Sequence, residues 1–232
     1  MRHGVLMFVL CTAPLAAQRA VPLREPVAYV GGAFMAAQPV GDFADYVNVG
    51  GGIGAHVVWK PSPGGVFGLR LDGTFVIYGS ETRRYTLVPL VDVDVTTQNQ
   101  IFGLAIGPEF AFGRSVQPYV FGEGGFSYFA TTSSVKGTGN STPFAETTNF
   151  DDFTLAGSAG AGVRIGVSNR RHHVTIDLGA RYVLNGRAQY LREGSIDITG
   201  GTVTITPVES GTNLMLYHLG VSVGLRPNEK RR

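Results

Sequence analysis

VTIDLGARY, residues 174–182, and YHLGVSVGL, residues 217–225, are written in strict alternation. In the first, Val174, Ile176, Leu178, Ala180 and Tyr182 take every second place, with Thr175, Asp177, Gly179 and Arg181 between them. In the second, Tyr217, Leu219, Val221, Val223 and Leu225 alternate with His218, Gly220, Ser222 and Gly224. Successive side chains of a strand point to opposite faces, so a period of two makes one face large and apolar and the other small or polar. The division recurs upstream. Phe67, Leu69, Leu71, Phe75 and Ile77 oppose Arg70, Asp72 and Thr74. Phe102, Leu104, Ile106, Phe110 and Phe112 oppose Gly103, Ala105, Gly107 and Glu109. Leu155, Ala159, Val163, Ile165 and Val167 oppose Ser158, Gly160, Gly162 and Arg164.

Composition decides which way the apolar face points. Glycine supplies 33 of 232 residues, about twice the usual ~7%, and each helix-interior glycine costs roughly 0.5–1 kcal/mol, which argues against a helical protein. Charged residues are 16% and hydrophobic residues 44%, which excludes a disordered chain. A net charge of +2 is too small for a nucleic-acid-binding domain. Mean hydropathy is +0.11, yet no internal run reaches the ~18 apolar residues of a membrane helix. A soluble sandwich or lipocalin-like barrel would turn the large residues inward. It would then show water a face of glycine and serine, with Lys60, Lys136 and Lys230 as its only lysines. A membrane barrel instead needs an outer face free of charge, because an arginine at mid-bilayer costs ~2–4 kcal/mol.

Eight segments carry the strand pattern: 27–37, 47–60, 66–79, 99–113, 118–131, 153–168, 172–188 and 213–226. Pro61–Gly65, Arg114–Gln117 and Asn169–Arg171 are tight turns. The other connectors, 38–46, 80–98, 132–152 and 189–212, read as long loops. Short turns at one end and long loops at the other describe an all-β, eight-stranded antiparallel up-and-down transmembrane β-barrel. Residues 1–17 read as a signal peptide: Arg2 and His3 precede the apolar Gly4–Leu10, and Pro14–Ala17 supply the small residues of a cleavage site. Residues 18–25 then form an N-terminal periplasmic segment, 26–227 the barrel and 228–232 a basic tail. Cleavage after Ala17 removes Cys11, the single cysteine, and with it disulfides, thiolate metal sites and a cysteine nucleophile.

With Pro39–Phe43 in the first loop, the Gly50–Gly54 strand and the closing Tyr217–Leu225 alternation, the chain resembles the small eight-stranded outer-membrane β-barrel proteins of Gram-negative bacteria (opacity-, OmpA- and OmpX-like barrels). The resemblance implies periplasmic termini, short periplasmic turns, surface loops, and assembly by the barrel-assembly machinery into lipid and lipopolysaccharide. One departure is the end of the last strand, Leu225-Arg226, where such proteins often carry an aromatic residue. The charge distribution agrees: Lys60, Arg114, Arg170, Arg171, Arg226, Lys230, Arg231 and Arg232 sit in short turns and the tail, while most acids sit in long connectors. Trp59, Tyr78, Tyr119, Tyr128 and Tyr190 fall near strand ends, where interfacial girdles belong.

Candidate chemistry is sparse. Arg70, Asp72, Glu109, Glu123, Arg164, Asp177 and Arg181, with His56 and His218, share the polar face and are expected to fill a narrow lumen as a salt-bridge network. A charge-lined pore is the competing reading. His172 and His173 are adjacent, so a strand sends them to opposite faces and they do not share a metal. Asp92, Asp94, Asp151 and Asp152 read as solvated loop acids. Gly31-Gly32 and Gly50–Gly52 precede no helix and are not phosphate loops. The expected function is therefore non-enzymatic, without cofactor, metal or nucleic acid: a barrel that presents surface loops. A small-solute channel and, behind it, a lipid-modifying enzyme are the alternatives. Within 189–212, Ser195–Thr199 and Thr202–Thr206 alternate around Gly200-Gly201, a hairpin signal. Its Ile196, Ile198, Val203 and Ile205 make it the candidate binding element for an extracellular partner.

Overall fold

The computed structural model describes residues 25–88, 91–137, 142–143, 145–168, 173–192, 195–199 and 202–226. The expected signal peptide, nearly all of the 18–25 segment and the 228–232 tail lie outside the described residues. Twelve strands follow in order: β1 (Ala28–Pro39), β2 (Gly50–Trp59), β3 (Phe67–Val88), β4 (Val91–Ala111), β5 (Val116–Gly137), β6 (Ala145–Ser168), β7 (His173–Asn185), β8 (Arg187–Tyr190), β9 (Ile196–Thr199), β10 (Thr202–Ile205), β11 (Val208–Gly211) and β12 (Leu214–Leu225). Eight of them close a barrel in the order β1-β12-β7-β6-β5-β4-β3-β2. Antiparallel pairing of β1 with both β12 and β2 makes the closure, so the barrel wall has no open edge.

The large apolar residues face outward: Phe34, Ile53, Phe102, Ile106, Leu155, Leu178 and Leu219 are all exposed on the outer surface. Their partners in the alternation, among them Arg70, Glu109, Arg164 and Asp177, are buried. On β3 the outer apolar run extends from Phe67 to Ile77, about the length a tilted strand needs to cross a bilayer.

Two expected loops are strands. Segments 80–98 and 132–152 prolong β3–β4 and β5–β6 into one four-stranded sheet that rises above the rest of the wall. The missed signal is plain: Val91, Val93 and Val95 alternate with Asp92, Asp94 and Thr96, so polarity concealed a period of two. Two irregularities lie at one height. The β3–β4 register shifts between Ile77 and Gly79, the β5–β6 register shifts between Thr131 and Thr132, and Asn99 pairs with both Gly79 and Thr131. An added residue bends and twists a strand, and this level is where the closed wall becomes a free-standing sheet: β2 pairs no farther than Gly51↔Ile77.

The 189–212 segment is also built from paired strands. Its register places Ile196 opposite Ile205 and Ile198 opposite Val203, and a second ladder joins β8 to β11. At the opposite end the connections are tight. Gly113 takes a φ of 89° between β4 and β5, and Gly64 one of 70° between β2 and β3, conformations that glycine adopts without the cost of a Cβ.

Candidate functional site: the filled lumen

The lumen is stacked in layers along its axis. Lowest, toward the tight turns, lies Tyr29, fully buried, with Lys60 over its ring and Gln117 donating to its hydroxyl at 3.3 Å. Lys60 is held by its own bond to the Gly65 carbonyl at 3.0 Å.

Above Tyr29 sits the ionic layer, and it gathers all seven of the charged residues named from the sequence. Arg164 Nη1 donates to Glu109 Oε1 at 2.8 Å, and Arg70 Nη1 donates to Glu109 Oε2 at 2.9 Å. Arg70 also grips Asp72 through two nitrogens. Arg181 lies 3.2 Å from Asp72 and 3.3 Å from Glu123. Arg164 Nε approaches Asp177 at 3.7 Å. The guanidinium of Arg164 lies over the Tyr119 ring and that of Arg70 over the Phe121 ring. Seven ionisable groups in so small a volume are tolerable only if each has partners, because an unpaired buried charge is expensive.

Asp177, one of the charges named from the sequence, gathers neutral partners that the sequence did not connect to it. Tyr119 donates to its Oδ1 at 2.6 Å and Ser222 to its Oδ2 at 3.3 Å. His218 and His56 each stand 3.5 Å from it. A serine, a histidine and an aspartate therefore meet here, but not as a nucleophilic triad. His56 reaches both Ser222, at 3.0 Å, and Asp177 through the same Nε2. A triad requires the acid on the ring nitrogen that does not face the serine. The group is also sealed, with Asp177 and Ser222 both fully buried.

The inward glycines are spaces cut for this layer. A Cβ on Gly31 would strike the His56 ring and the Ser222 hydroxyl, one on Gly179 would fall 2.6 Å from His218 Cε1, and one on Gly160 would fall 2.6 Å from Phe121 Cζ. The rings thus lean over the glycine paired with them on the neighbouring strand, His56 over Gly31, His218 over Gly179 and Phe121 over Gly160, which is how side chains fill an eight-stranded bore.

Higher still, a small cavity of about 30 Å³ lies between Asp72, Thr74, Ser127, Ser158 and Arg181, enough for one or two waters. An apolar cap closes the mouth above it. Residues Gly41–Asp45 form a 3-10 turn entered through Gly41 at a φ of 65°, and this turn drops Phe43 into the bore. Phe43 is fully buried against Tyr78, Phe129 and Tyr190, with ring centroids 5.7, 6.2 and 5.0 Å away. Val76, Ile101, Leu214 and Leu216 complete the cluster. Burial raises the Tyr190 phenol above its ordinary range. Tyr78, Tyr119 and Tyr190 thus correct the girdle expectation: all three are inside. Strand parity could have identified two of them, since Tyr78 is in phase with Arg70 and Asp72, and Tyr119 with Glu123. Nothing local in the sequence marks Phe43 as the cap.

The remaining candidates are polar contacts. Among the described residues no cluster of histidines and acids forms a metal site. His173 packs edge-on against Tyr29. Asp152 accepts the Gln189 amide at 2.7 Å. Asp94 accepts Arg84 Nε at 2.9 Å, and this bond holds its carboxyl below the ordinary range. The side chains of Ile196, Ile198 and Val203 are outside what the structure describes, and Ile205 is exposed.

No curated protein matches the sequence. Several solved structures are similar in fold, three of them as follows. The attachment invasion locus protein Ail of Yersinia pestis, solved with the heparin analogue sucrose octasulfate, is 10% identical, with a TM-score of 0.45 over 86% of this chain and 98% of its own. Neisserial surface protein A is 14% identical, with a TM-score of 0.46 over 85% and 97%. OprG of Pseudomonas aeruginosa is 13% identical, with a TM-score of 0.47 over 88% and 98%. The model of the outer membrane protein beta-barrel domain matches residues 4–226, nearly the whole chain, and the chain belongs to that family.

Proposed function

We propose that this outer-membrane barrel is a closed anchor, and that its work is done by the structure it carries beyond the bilayer. One observation carries the reading: the bore is occupied at every level, from Tyr29 through the Arg70–Glu109–Arg164 layer to Phe43. On this reading residues 1–17 are a cleaved signal peptide and 18–25 and 228–232 are periplasmic. The basic short turns then face the periplasm, the tall β3–β6 sheet faces outward, and the barrel-assembly machinery inserts the chain beside lipopolysaccharide. The β9–β10 hairpin, with Ile196, Ile198, Val203 and Ile205, is the partner-binding element. Among the described residues its two strands pair only with each other, which leaves ladder edges that accept an added strand.

Planar-bilayer recording of the purified full chain tests the closed lumen, with no steady current expected. Large sustained currents would establish the small-solute channel instead. Deleting Ile196–Ile205 tests the hairpin. The barrel should still show heat-modifiable migration, and capture of surface partners should fall. An intact barrel with unchanged capture would remove the hairpin from the function.

A further inference from the structure

We propose that a polar cleft at the long-strand end binds the phosphorylated sugar head of an outer-leaflet glycolipid. The cleft has a volume of about 440 Å³ and lies between residues 46–51, the β3 bulge and Arg192. That volume falls within the range of small-molecule sites. Among the described residues its polar lining is Tyr46, Asn48, Tyr78, Ser80, Asn99 and Arg192, with no carboxylate.

Arg192 is anchored from both sides. Leu191 before it is fully buried, its own amide donates to Ser195 Oγ at 3.1 Å, and its guanidinium lies 5.5 Å from the centre of the Tyr46 ring. Among the described residues no acid pairs with it. Asn99 is 3% exposed, and its Oδ1 accepts the Thr131 hydroxyl at 2.7 Å. Its Nδ2 lies beside Gly79. A Cβ on Gly79 would stand 3.0 Å from that nitrogen, so glycine keeps a buried donor uncovered beside the cleft. An unopposed guanidinium recognises an oxyanion through two parallel bonds. Neutral donors on Asn48, Ser80 and Asn99 suit sugar hydroxyls, and the Tyr46 ring suits a sugar face. One cation with several neutral donors fits a phosphorylated sugar better than a polyanion.

The height selects the source. The outer apolar run of β3 ends at Ile77, and the cleft takes in Ile77, Gly79 and Ser80. Exposed Val49 also lines it. The cleft therefore opens where acyl chains give way to headgroups. The inference goes beyond the closed-lumen reading, since a conducting barrel would leave this cleft as it is.

The test uses the full chain in neutral detergent. Glucosamine 1-phosphate is titrated alone and in competition with lipopolysaccharide carried in phosphatidylcholine nanodiscs. Saturable binding displaced by lipopolysaccharide is expected. Arg192→Gln should weaken both ligands at least tenfold, and Asn48→Ala several-fold. Arg187→Gln, which removes an exposed charge paired with Glu209 outside the cleft, should change either by less than twofold. All three variants alter exposed positions, and heat-modifiable migration verifies their folding. Equal losses in Arg192→Gln and Arg187→Gln would reduce the effect to net charge and overturn the site. Sugar-phosphate binding that lipopolysaccharide does not displace would overturn the lipid source. Absence of saturable binding would overturn the proposal outright.

Discussion

The lower and upper halves of the lumen exclude water by different chemistry. In the lower half, three arginines face four carboxylates, and the fourth carboxylate, Asp177, is supplied by Tyr119, Ser222, His56 and His218 where a further cation would otherwise stand. In the upper half, Phe43 and its neighbours exclude water by apolar area alone. The ionic half is a mutual arrangement, because removing one member strands another in low dielectric. The apolar half is modular, because removing a ring leaves a cavity that neighbours or water can fill. The ionic half also sits inside a wall with no exit for a stranded charge, whereas the cap borders the solvent.

The largest effect is expected in the ionic half. Arg164→Ala leaves Glu109 short of its main partner and should lower the unfolding free energy by about 3–5 kcal/mol in lipid vesicles, read from denaturant titration. Replacing the pair together, Arg164→Met with Glu109→Met, should recover more than half of that loss. No recovery would mean that these residues act by shape and not by mutual charge. Phe43→Ala should cost about 3 kcal/mol, the low end for a buried phenylalanine. Its signature is local: a cysteine placed at Ser127, in the cavity beneath the cap, should react with an aqueous thiol reagent only when Phe43 is absent. Equal reactivity in both backgrounds would show that the ring does not seal the mouth.

Gly162→Ala asks how closely the ionic half is packed. The new methyl group would collide with the Tyr119 hydroxyl, and a loss of about 1–3 kcal/mol is expected. Gly124→Ala is the control, since its outward Cβ meets nothing within 4 Å, and its midpoint should not fall. The smallest effect belongs to neither half. Asp94 is half-buried beside Arg84, whose bond holds its carboxyl below the ordinary range. A depressed carboxyl contributes fully above the ordinary range near pH 4 and loses its contribution as the pH drops below it. Amide exchange over residues 82–88 and 91–96, taken relative to the intrinsic rate at each pH, should therefore quicken on acidification while the barrel strands stay protected. Barrel strands that quicken first would place the acid sensitivity in the lumen instead.

How much of this was legible depends on the range of the interaction. Alternation in residues such as Val174–Tyr182 determined strand, face and membrane environment, because period and side-chain size are local properties that lipid reads directly. It also put the seven charged lumen residues on one face. It did not say which arginine meets which acid. Arg70 reaches Glu109 from the neighbouring strand, Arg164 reaches it over β5 from two strands away, and Arg181 reaches Asp72 across the bore, and only the curvature and closure of the barrel set those distances. The 80–98 and 132–152 strands were legible in their period but hidden by their polarity. Phe43 was not legible at all, since a phenylalanine in a loop becomes a cap only where Tyr78, Phe129 and Tyr190 converge from β3, β5 and β8. The sequence by itself thus determined what faces lipid and what faces inward. Tertiary structure alone decided what fills the bore and where Arg192 comes to rest, because both depend on residues brought together from distant strands.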